Sequence, residues 1–89
     1  MKNKIILESL AMDLKRVALG LQRGSNAMAE RFMQEAMARK KEIKPDGLDK
    51  YILTLLNNME ESFRASDNPK KAEDALMYST LFQNASLKK

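Results

Sequence analysis

Apolar side chains recur along this chain at intervals of three and four, the period of a helix buried on one side. The first run puts Leu7, Leu10, Leu14, Val17 and Leu21 on one stripe, an alternating spacing that makes a coiled-coil-like seam. A second run offers Met28, Ala29, Phe32, Ala36 and Ile43 on one face, and a third offers Leu48, Ile52, Leu55, Leu56, Met59 and Phe63. Three breaks separate the runs. Gly24-Ser25-Asn26 supplies a C′ glycine to the helix before it and an N-cap to the one after. Lys44-Pro45-Asp46-Gly47 disfavours helix at Lys44 and supplies Asp46 as an N-cap, with Asp49 in the turn that follows. Ser66-Asp67-Asn68-Pro69 gives Asn68 as N-cap and Pro69 at the first helical position, where a missing N–H costs nothing. The pattern predicts helices over 3–23, 26–44, 47–65 and 69–86. Matched lengths and short turns set consecutive helices antiparallel. The expected fold class is therefore all-α, a four-helix up-down-up-down antiparallel bundle forming one domain over 1–89.

Some apolar positions fall outside the stripes. Ile5, Met12 and Leu19 are seven apart and lie roughly opposite the seam of the first helix. In the fourth helix Ala72, Ala75, Leu76, Met77, Tyr78, Leu81, Phe82 and Ala85 spread over nearly the whole circumference. A helix in a small bundle buries one stripe, and one that is apolar all round needs further cover. The surplus points to a protein interface on helices 1 and 4, built from Ile5, Met12, Leu19, Met77, Tyr78 and Leu81, with a homodimer as its simplest form. Tyr78 suits such a surface because its ring is apolar and its tip polar. Met33 and Met37, one turn apart on the shoulder of the second helix, suggest a further place where an amphipathic helix would lie.

Composition narrows the chemistry. The chain has 89 residues with no cysteine and no histidine, which removes disulfides, thiolate sites, the commonest metal ligand and the commonest general base. Glu30 with Glu35, or Glu60 with Glu73, would be needed for an all-carboxylate metal site, but Glu30, Glu60 and Glu73 fall off the inward stripes. Gly20-Leu21-Gln22-Arg23-Gly24 lacks the Lys-Ser/Thr ending and the preceding strand of a phosphate-binding loop. The expectation is a non-enzymatic protein with no cofactor, no metal and no small-molecule substrate. No apolar run is long enough to cross a membrane, and Glu8 and Asp13 interrupt the one resembling a signal peptide, so a cytoplasmic location is expected.

Charge adds an alternative. The net charge is +4, and residues 46–67 hold much of the acid. In an up-down-up-down bundle one pole would gather Lys2, Lys4, Arg39, Lys40, Lys41, Lys44, Lys50, Lys88 and Lys89. The alternative function is a nucleic-acid-associated accessory protein that contacts phosphates through Arg39, Lys40, Lys41 and Lys44. The bland reading of the same lysines is that they complement the C-terminal ends of helices. No zinc-finger spacing or helix-turn-helix accompanies them.

Overall fold

The computed structural model of the protein describes residues 2–46, 48–65 and 67–87. Among these residues it holds four helices and no strand: α1 (Lys2–Gln22), α2 (Asn26–Glu42), α3 (Lys50–Ala65) and α4 (Asn68–Leu87). They form an all-α antiparallel bundle with extents of 37 × 20 × 19 Å. Its long axis is close to the ~31 Å that the 21 residues of α1 span at 1.5 Å each.

The α1–α2 joint follows from its sequence. Gly24 adopts φ +76°, the left-handed conformation that favours glycine. Its N–H reaches the Leu21 carbonyl at 3.2 Å, and that of Ser25 reaches Gly20 at 2.8 Å, so the last turn of α1 is closed as a Schellman motif. Ser25 then caps α2, its hydroxyl accepting from the Met28 N–H at 3.4 Å. One residue thus ends one helix and begins the next.

Two caps differ from expectation. Asp46 does not start α3. The Leu48 N–H donates to the Pro45 carbonyl at 3.1 Å, and the Leu48 side chain packs against the core. The helical ladder begins at the Asp49 carbonyl, which accepts from Ile52 at 3.0 Å and Leu53 at 3.2 Å. The expected start at residue 47 lies outside the described residues, and the helix itself starts at Lys50. At the head of α4 the cap is Asp67 rather than Asn68. Its carboxylate accepts from the Lys70 N–H at 3.1 Å, and its carbonyl from Lys71 at 2.8 Å. The Asp-capped register starts the helix one residue earlier and moves Pro69 one place further into the first turn, where its missing N–H still leaves no bond unmade.

Helix α1 is the hub. It packs most extensively against α4 and α2, and α3 packs against α4. Leu10, Leu14 and Val17 of α1 are fully enclosed, together with Met59 of α3 and Phe82 of α4. Each such side chain stabilises the fold by about 1.5–3 kcal/mol. Small residues set the spacing on both flanks of the hub. On the α2 side, a Cβ at Gly20 would lie 2.9 Å from the Ala29 backbone nitrogen, so only glycine permits this approach. On the α4 side, Ala11 and Ala18 of α1 and Ala72, Ala75 and Ser79 of α4 are all buried, and the Ser79 hydroxyl donates to the Ala11 carbonyl at 2.7 Å.

Candidate interaction surfaces

The outer stripe of α1 remains on the surface although the rest of that helix is the most enclosed in the bundle. Ile5 is 60% exposed and Met12 54%, with Leu19 half-buried. Met12 also lines a shallow groove of about 470 Å³ between α1 and α4. Ala11, Ser79 and Ser86 floor it, and Glu8, Lys15 and Leu87 stand at its edge. The floor is low because its residues are small.

On α4 the expected interface divides. Tyr78 is corrected from surface to core: it is buried, its ring stacked on Phe82 at 6.2 Å between centroids. Burial pushes its hydroxyl above the ordinary tyrosine range, with the nearby Asp74 carboxylate adding to the effect. Leu81 packs partly against the core. Met77 is exposed, but it faces a groove shared with Asn58, Glu61 and Ser62 of α3, away from the α1 stripe. The apolar α4 residues on the α1 side are Leu87 at the groove edge and Leu76, three residues before Ser79. Sequence reasoning missed this role for both. Their orientation depends on Ser79 and Ser86 taking inner positions, where the Ser86 hydroxyl is satisfied by the Gln83 carbonyl at 2.7 Å. A hydrophobicity pattern places serines outward.

Between α2 and α3 the helices stand further apart, and a groove of about 450 Å³ opens over Met33, Met37 and Phe63. Lys41 and Arg64 stand on its rim with Glu30 and Glu60. Lys40 donates to Glu60 at 2.8 Å and Arg64 donates to the other oxygen of the same carboxylate at 2.6 Å. The bond from Lys40 and its charge hold Glu60 below the usual glutamate range.

The basic residues do not form one free patch. Lys40 turns to α3, whereas Arg39 turns to α1 and donates to Asp13 at 3.4 Å. Asp13 is buried, and that desolvation raises its carboxyl above the ordinary aspartate value against the pull of Arg39. Lys41 and Lys44 are exposed, and the Lys44 backbone is clasped by Asn3, whose amide donates to the Lys44 carbonyl at 2.9 Å and whose oxygen accepts from its N–H at 3.1 Å. That clasp sets the start of α1 beside the end of α2. Lys88, Lys89 and the side chain of Lys2 lie outside the described residues.

Among the described residues no group of three acidic side chains is placed to hold a metal ion, and no helix is long and apolar enough to cross a membrane. No protein-family model, curated protein or solved structure matches this chain.

Proposed function

We propose that this chain is a small non-enzymatic helical interaction module that self-associates or binds a protein partner through the outer face of α1 and the adjoining edge of α4. One observation carries the reading: Ile5 and Met12 lie open, at heptad spacing, on the helix that is otherwise the centre of the bundle. Covering them removes apolar surface from water without disturbing any core contact. Light scattering coupled to size exclusion, from low to high micromolar, tests it. The wild type is expected to move toward a larger species and Met12→Asp to remain monomeric with unchanged helical circular dichroism. Equal behaviour of the two proteins, in association and in partner binding, would sink the reading.

The methionine-floored groove between α2 and α3 favours a second reading, an adaptor that seats an amphipathic helix over Met33, Met37 and Phe63. In that case Met37→Glu, rather than Met12→Asp, abolishes binding. The pairing of Arg39 with Asp13 and of Lys40 with Glu60 speaks against the nucleic-acid alternative, because it spends half of that cluster on internal carboxylates.

A further inference from the structure

We infer that the α1 face takes a second copy of this chain, docked antiparallel about a two-fold axis beside Met12. The inference rests on the interaction reading above and specifies its occupant and register.

The stripe is symmetric about its own midpoint. Ile5 and Leu19 lie seven residues to either side of Met12. An antiparallel two-fold at that point stacks Met12 on Met12 and sets Ile5 level with Leu19 of the other copy, at both ends of the contact. Such an isologous interface needs one patch that complements itself.

Charge chooses the direction. Glu8 and Lys15 both line the groove toward α4, so they share one edge of the stripe. Arg16 lies on the opposite edge, over the Phe32 ring at 5.4 Å and within 3.9 Å of Asp13. An antiparallel two-fold brings like edges together in reversed order. Glu8, four residues before Met12, then faces the other copy's Lys15, three residues after it, and symmetry makes the contact twice. A parallel two-fold brings unlike edges together and sets Lys15 against the other copy's Arg16, a like-charge contact made twice. Among the described residues neither Glu8 nor Lys15 makes an ion pair within its own chain. Exposed pairs are individually weak, so they orient the contact while the apolar stripe holds it.

The native chain has no cysteine, so one introduced thiol reports on one position. In Met12→Cys the two thiols meet on the axis, and mild oxidation should link the dimer at least about tenfold faster than it links a Thr54→Cys control on the exposed side of α3. Glu8→Lys and Lys15→Glu should each weaken the dimer about fivefold or more, and the double exchange should restore it to within about twofold. In a parallel dimer Lys15→Glu alone would strengthen association by facing Arg16, and that result overturns the inference. A dimer that Met12→Asp abolishes, but that neither cross-links at position 12 nor recovers on charge exchange, overturns the register and leaves the interaction surface standing. A wild-type chain monomeric at high micromolar concentration overturns the inference and self-association together.

Discussion

The seams on either side of α1 and the gap between α2 and α3 are made from opposite kinds of side chain. At the α1–α2 seam Gly20 meets the Ala29 backbone directly, and at the α1–α4 seam the buried residues include Ala11, Ala18, Ala72 and Ala75, with Ser79 bonded to Ala11. Between α2 and α3 the facing residues are Met33, Met37 and Phe63, and the bridge across them is the Lys40–Glu60 ion pair at 2.8 Å. All three places carry apolar side chains. Residue size, more than hydrophobicity, therefore decides which helices close on each other and which leave a groove.

The largest expected effect separates seam from gap. Gly20→Leu should destabilise the fold by about 3 kcal/mol, because the atoms it would strike are backbone and cannot swing aside. Met37→Ala, in the open gap, should cost about 1 kcal/mol, since only part of that side chain leaves water. Urea unfolding of the two variants checks the pair, and equal losses would erase the distinction. Within the α1–α4 seam, Ser79→Ala removes a buried hydroxyl bonded at 2.7 Å and should cost about 1 kcal/mol. A neutral result would mean that small volume alone, without the hydrogen bond, holds that seam.

The smallest effect sets the charges of the two regions against each other. Asp13 is raised by burial, so just above the ordinary aspartate pKa the folded chain holds this proton more tightly than the unfolded chain does. Its contribution to stability accordingly falls as pH rises through that window. Glu60 is lowered by Lys40, so its contribution is present above the ordinary glutamate value and is lost as pH falls through the folded pKa. Asp13→Asn should slightly stabilise the neutral-pH fold, because burial makes the folded environment favour an uncharged group there. It should also steepen the net loss on acidification, since the opposing contribution is gone. Unfolding midpoints from acidic to neutral pH measure both, and a profile identical to wild type counts against this account of Asp13.

The sequence was most legible where a helix has one apolar side. The α1 seam from Leu7 to Val17 and the α3 stripe of Ile52, Leu55, Leu56, Met59 and Phe63 are buried as their spacing implies. Gly24 and Ser25 perform the roles their chemistry suggests. The pattern was least legible in α4, where apolar residues surround the axis and periodicity has no direction to point. Two serines decide which side goes in, because each satisfies its hydroxyl on a carbonyl and is small enough for close approach. That choice carries Tyr78 inward and leaves Leu76 and Leu87 outside along with Met77, while Ile5 and Met12 of α1 are exposed. The splay of α2 from α3 was illegible for a related reason: it depends on which partner has the smaller residues, a property of pairs of helices.

The hydrogen bond from Ser79 to Ala11 joins positions 68 apart in the chain. Bringing them together costs about 4 kcal/mol of loop-closure entropy before any contact in that seam is made. Until α4 arrives, one flank of α1 stays wet, and the helical hairpin of α1 and α2 is only half a nucleus. The last helix is thus a keystone: it closes the open flank of α1 and is also the helix against which α3 packs.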